Sequence, residues 1–294
     1  MKRTKRNKKA DLILCSDMHL REDTPTCWTG DFQEEQWNSV QFISDLQVKH
    51  DCIVLHAGDL FHHWKPSPWL LSMAMQHLPQ AFYTVYGQHD LPQHNTELMS
   101  KSGLHTLDWA GVAHVLTQCH YGQTPTEKGS LLLPNREPDI RILVWHHMTY
   151  ITPPFPGAKE GQAEGILRKY PQFDLIVTGD NHQSFVTTYK GRLLVNPGNL
   201  TRQKADQINY KPRVALWYAD TNTIKWEYLP IQEGVITREH IDNKKERDQH
   251  IEAFISRLNT DWEASLSFKD NLRIFFSKNK VKDEIKQIIY KSIE

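Results

Sequence analysis

Short runs of Ile, Val, Leu and aromatic residues recur along the chain, separated by segments whose apolar positions repeat every three to four residues. The runs at 11–16, 52–57, 81–86, 140–145, 174–178, 192–196 and 213–219 have the length and composition of strands. Between the first two, Phe32, Trp37, Val40, Ile43 and Leu46 recur near a 3.6-residue period, so an amphipathic helix is predicted over 31–48 as a crossover. Ser67 followed by Pro68 is a helix start by N-cap and N1 chemistry, and Trp69 to Leu78 has the composition to continue it. Strands alternating with crossover helices argue for an α/β fold.

The stretches 118–139 and 152–162 carry Gly, Pro, Thr and Asn without periodicity and read as loops. After residue 234 glycine and proline vanish. Charged residues there interleave with Ile251, Phe254, Ile255 and Leu258, then Ile274, Phe275, Phe276, Ile285, Ile288 and Ile289. The expected organisation is a basic flexible arm at 1–10, a main domain at 11–234, and a small, mainly helical capping or docking module at 235–294 with one strand at 271–277.

With 294 residues, 39% of them apolar, the chain can bury a substantial core. Its 35 basic and 35 acidic residues cancel, which excludes a polybasic nucleic-acid or membrane binder held by global charge. Six of the basic residues lie in 2–9, so the remainder holds 29 against 35 acidic residues, a net charge of −6. A signal peptide is not indicated, because Leu12-Ile13-Leu14-Cys15 meets Asp17 well short of the roughly 7 to 15 apolar residues required. No run approaches the ~18 apolar residues of a membrane span. Cys15, Cys27, Cys52 and Cys119 show no paired spacing, and the expected location is the cytoplasm.

Sixteen histidines are far more than packing requires, and several fall at strand ends. The first strand runs into Asp17-Met18-His19, the second into Gly58-Asp59, the third into Gly87-Gln88-His89-Asp90, the fourth into His146-His147, and the fifth into Gly179-Asp180-Asn181-His182. Ligands of open α/β sheets bind beyond the carboxyl ends of the strands, so these side chains are expected to converge. Singly, each motif has an ordinary explanation, since a strand-ending Asp caps turns and adjacent histidines on a strand point to opposite faces. Jointly, they point to a site for two divalent ions, which needs one bridging carboxylate and nitrogen and oxygen ligands on each side. Asp59 is the candidate bridge. Donors drawn from Asp, His and amide without Cys favour manganese or iron, with magnesium and zinc as alternatives.

The order Asp-x-His, Gly-Asp-Leu-Phe-His, Gly-x-His-Asp, His, Gly-x-x-His resembles the calcineurin-like metallophosphoesterase superfamily over residues 11 to about 230. Gly58-Asp59-Leu60-Phe61-His62 with Lys65-Pro66-Ser67, and later Asn196-Pro197-Gly198-Asn199-Leu200-Thr201-Arg202-Gln203, are most similar to the SbcD-type DNA repair nucleases, especially short phage and bacterial members. The resemblance implies a β-sandwich of two mixed sheets flanked by helices, a di-manganese centre, and phosphodiester hydrolysis of DNA in repair, recombination or phage DNA processing. It further implies an SbcC-type ATPase partner and a homodimer. By motif position, Asp17, His19, Asp59 and His182 would hold one ion, and Asp59, Gln88, His146 and Asp180 the other. His89 would protonate the departing oxygen, and Asp90 would support its turn.

Gln88 stands where the family usually has Asn, and Asp180 where it usually has His; both keep a donor atom. His62, His63, Trp64 and Lys65 are expected near the cleft, where an aromatic beside a basic residue suits stacking on a base with a phosphate contact, although local packing explains them as well. Arg202 and Lys204 are expected to track a nucleic-acid backbone. The competing readings are a phosphatase or cyclic-nucleotide phosphodiesterase on the same fold, since a metal site does not choose a substrate, and a non-catalytic scaffold whose metal site has drifted.

Overall fold

The computed structural model describes residues 8–116, 119–125, 131–132, 140–154, 158, 160–258 and 267–293. Most of the expected basic arm lies outside these residues; its described part, Lys8 and Lys9, pairs with Asp220 and Asp51 at 2.9 and 3.5 Å. The chain forms two compact units, Met1–Thr237 and Arg238–Glu294. The first ends later than 234 because Val235, Ile236 and Thr237 pair with the backbone of Cys27, Trp28 and Thr29.

In the first unit the order is β1 (Leu12–Cys15), α1 (Phe32–His50), β2 (Ile53–His56), α2 (Pro68–His77), β3 (Phe82–Thr84), α3 (Gly103–Trp109), β4 (His114–Val115), β5 (Leu131–Leu132), β6 (Arg141–Trp145), α4 (Ala163–Lys169), β7 (Leu175–Thr178), β8 (Phe185–Tyr189), β9 (Arg192–Asn196), β10 (Arg213–Tyr218) and β11 (Thr223–Tyr228). One sheet has the order β11-β10-β1-β2-β3-β4 and the other β5-β6-β7-β9-β8, each mixing parallel and antiparallel pairs.

Alternation along β1 shows why the strand reads as an unbroken apolar run. Leu12 and Leu14 enter the core between the sheets with Leu55, Val144, Val177 and Trp217, while Ile13 and Cys15 enter the core beneath α1 and α2 with Val40, Ile43 and Leu70. The outer face of the second sheet is covered by α4, where Ile166, Leu167 and Tyr170 pack on Leu143, Trp145 and Ile176. Helix α1 starts where Asp31 accepts a hydrogen bond from the Glu34 backbone, and α2 where Ser67 accepts one from Leu70.

The second unit holds α5 (Glu239–Leu258), α6 (Phe268–Lys278) and α7 (Asp283–Ser292). The strand expected at 271–277 is instead part of α6. Ser267 caps it by accepting from the Asp270 backbone, and Leu272 and Phe275, three residues apart, form a small core with Phe276, Ile289 and Tyr290. The Ile-Phe-Phe triplet imitates a strand only when read without its helical neighbours. No helix among the described residues is long and apolar enough to cross a membrane.

Candidate metal centre

The loops that follow β1, β2, β3, β6 and β7 meet at one end of the two sheets. The first two run side by side, with the Asp17 and His19 amides donating to the carbonyls of Gly58 and Asp59, both at 3.0 Å. Asp17, His19, Asp59 and Asp180 all adopt left-handed backbone, with φ of 49°, 46°, 58° and 75°. For residues other than glycine that conformation costs about 1–2 kcal/mol each and persists where the surroundings enforce it, commonly at functional sites.

The glycines before the acidic and amide residues admit the neighbouring side chains. A Cβ on Gly58 (φ 92°) would lie 2.5 Å from His146 Nδ1, and one on Gly87 would overlap the Asp59 carboxylate and amide. Gly87→Ala must therefore displace Asp59. The variant is expected to gain much less thermal stability than wild type on adding a divalent ion, measured as thermal midpoints with and without manganese chloride.

The carboxylate of Asp59 is held by one oxygen only. Its Oδ1 accepts from the His89 backbone amide at 2.8 Å, whereas Oδ2 is buried without a hydrogen-bond partner. That orphaned oxygen lies 3.7 Å from His19 Nε2 and 3.5 Å from His146 Nε2. Asp17, His19 and His182 form one group of converging ligand atoms, and Asp17, Asp59 and His146 another. His146 Nδ1 donates to the Ala57 carbonyl at 2.7 Å, its Nε2 lies 2.8 Å from Gln88 Oε1, and the Gln88 amide Nε2 donates to Asp180 Oδ1 at 2.7 Å. The donor set of carboxylate, imidazole and amide fits a divalent ion.

Burial acts in opposite directions on the two residue types here. It pushes Asp17 up to about 7, with Asp59 and Asp180 adding to the effect, and raises Asp59 well above the usual carboxylate range, with Asp90 adding. It holds His19 well below the usual imidazole range, helped by the neighbouring imidazoles His182, His89 and His62, and brings His62 and His182 to about 4. Burial thus drives acids and bases alike toward neutrality, and bound cations would offset it for the carboxylates.

The structure brings together all seven sequence-predicted metal ligands, with Asp180 joined to the rest through Gln88 and through its own amide, which donates to Asp17 at 3.1 Å. His89 donates from Nδ1 to the His62 carbonyl at 2.8 Å and stands edge-on to His19 at 4.8 Å between ring centroids. Asp90 is fully buried and accepts from the amides of Leu60, Phe61 and Gly87, so it ties the loop after β2 to the loop after β3 and is a positioning residue rather than a catalytic one. His62 joins His19 and His89 in a third converging group. His63, Lys65 and Lys204 are exposed and Trp64 is half-buried, none of the four bonded to the ligand cluster. Arg202 corrects the sequence reading. It is buried, bonded to Glu35 Oε1 at 3.5 Å and to the Gln232 carbonyl, and stacked 5.7 Å from the Trp28 ring, so it cannot track a nucleic-acid backbone.

Sequence reasoning missed Asn181, whose Nδ2 donates to the Thr149 carbonyl at 2.6 Å and locks the loop after β7 to the loop after β6. Its position between two candidate ligands was the available signal.

A sequence profile of the calcineurin-like phosphoesterase superfamily domain matches residues 11–220. No curated protein matches the chain. Among solved structures, an archaeal phosphodiesterase aligns at 12% identity over 74% of this chain and 99% of its own, with a TM-score of 0.41. A metallophosphoesterase from Sphaerobacter thermophilus aligns at 12% over 75% and 89%, TM-score 0.39. Vacuolar protein sorting 29 from Cryptosporidium parvum aligns at 16% over 76% and 100%, TM-score 0.35.

Proposed function

The chain belongs to the calcineurin-like phosphoesterase superfamily, and from that premise we propose that it is a metal-dependent phosphodiesterase acting on DNA, a nuclease of the SbcD type. The observation that carries the hydrolytic reading is the unpartnered Asp59 Oδ2, set between His19 and His146, where it would be available to help hold divalent ions. Asp17, His19, Asp59 and His182 would hold one ion, and Asp59, Gln88, His146 and Asp180 the other. When bound, such ions would neutralise phosphate oxygens and lower the pKa of water toward neutrality, making hydroxide available. Manganese suits the oxygen-rich donor set best.

The protein's own groups do the rest. The Nδ1–H of His89 is committed to the His62 carbonyl, so Nε2 is the nitrogen left to hold a proton and pass it to the departing oxygen. Asp90, through its three backbone donors, fixes the turn that aims His89. Support for DNA as substrate comes from the Gly58–His62 and Lys65–Ser67 motif and the Asn196–Gln203 segment, with Lys65 and Lys204 exposed for phosphate contacts. The same resemblance supports an SbcC-type ATPase as partner, the C-terminal module as its docking element, and a homodimer. Four free cysteines fit a reducing compartment.

The test is manganese-dependent digestion of end-labelled linear and closed circular DNA beside p-nitrophenyl phosphate. Cleavage of DNA with little monoester hydrolysis is expected; hydrolysis of the monoester alone would overturn the nuclease reading in favour of a phosphatase.

A further inference from the structure

On the α4 side of the second sheet lies a cavity of about 520 Å³ whose lining includes His147, the residue that follows the candidate ligand His146 in the chain. Its volume falls within the roughly 300–1,000 Å³ of small-molecule sites. One wall is aromatic and rigid. The rings of His147 and Trp145 stack at 3.9 Å with 2° between planes, Tyr170 stands edge-on to Trp145, and the Trp145 indole donates to the Gln123 carbonyl at 3.1 Å. The opposite rim is polar. The side-chain amides of Gln123 and Gln162 use their oxygens on the His120 and Gly165 backbones, and neither amide nitrogen donates to a described residue. Lys169 and Glu160 also line the cavity and cancel in charge, so the site suits a neutral, flat ligand with donors and acceptors at its edge.

Gly165 also lines the cavity. It is the third residue of α4, and an added Cβ would lie 3.1 Å from the Gln162 oxygen that caps the helix by accepting from the Gly165 amide at 2.8 Å.

We propose that this cavity receives the nucleobase of the nucleotide whose phosphate is cleaved, an inference that rests on the phosphodiesterase reading and names its substrate class. Base-on-ring stacking against the His147–Trp145 pair and hydrogen bonds from Gln123, Gln162 and Lys169 would hold it.

The test uses the full chain and two variants, Gly165→Phe, which places a ring in the cavity while crowding the Gln162 cap, and Lys169→Met, which removes a rim donor and leaves the cap untouched. Two readouts are needed. The first is the ratio of kcat/KM for thymidine 5′-(p-nitrophenyl phosphate) over methyl p-nitrophenyl phosphate, with manganese. The second is binding of free thymidine by ligand-observed NMR, which needs no catalysis. Gly165→Phe is expected to lower the ratio about tenfold or more and to abolish thymidine binding, with Lys169→Met reducing both. An unchanged ratio with thymidine bound equally by all three proteins, or by none, would overturn the proposal. Thymidine binding lost in Gly165→Phe with an unchanged ratio would also overturn it, assigning the cavity to a free nucleoside instead. If wild type binds thymidine, Gly165→Phe does not, and neither ester is cleaved, the cavity binds a base but the phosphodiesterase reading has failed.

Discussion

Asp59→Asn is expected to lower manganese-dependent phosphodiester hydrolysis by about 10³-fold or more while leaving the metal-free protein folded. Asn keeps the shape and can still accept the His89 amide at the position of Oδ1. What disappears is the charge at Oδ2, the atom that faces His19 and His146. Stabilisation by metal ions of this kind is worth several kcal/mol, and each 1.36 kcal/mol is a factor of ten. The same substitution removes a buried carboxylate that the metal-free protein can hardly afford to ionise, so its thermal midpoint without manganese should equal or exceed that of wild type. Wild type should gain stability on adding manganese and the variant much less. Thermal melts with and without manganese, beside steady-state rates, check both halves; a variant within tenfold of wild-type rate contradicts the bridging role.

His89→Ala is expected to reduce turnover on DNA by about 10²- to 10⁴-fold, the usual worth of a general acid. His89 belongs to neither proposed ion's ligand set, so bound manganese should match wild type. The leaving group separates proton donation from mere positioning. Departure of p-nitrophenolate needs little protonation, so the variant should lose far less on a p-nitrophenyl phosphodiester than on DNA. Equal losses on both substrates would assign His89 a positioning role, through its bond to the His62 carbonyl.

The strands legible in the sequence were those buried or nearly so on both faces, because β1, β2, β3, β6, β7, β9 and β10 are dense apolar runs. The edge strand β11 alternates half-buried with exposed residues, and β8 is half-exposed, so neither stands out from a polar background. The two-residue strands β4 and β5 carry no pattern at all. Placement of the ligands was legible because each follows one of the dense runs, and the sheet topology brings those ends together. Arg202 was misread for the opposite reason. Its partners Glu35 and Gln232 lie far away in sequence on either side, and nothing local announces that the guanidinium is buried between them. The geometry of Asp59 was likewise invisible, since the lack of a partner for one oxygen is a property of three loops at once.

Anomalous diffraction from crystals of the full chain grown with manganese tests the two-ion cage most directly. Two manganese peaks are expected, one among Asp17, His19 and His182 and one among Gln88, His146 and Asp180, with Asp59 Oδ2 contacting both. Manganese bound elsewhere, or a single ion with Asp59 Oδ2 still unliganded, would contradict it.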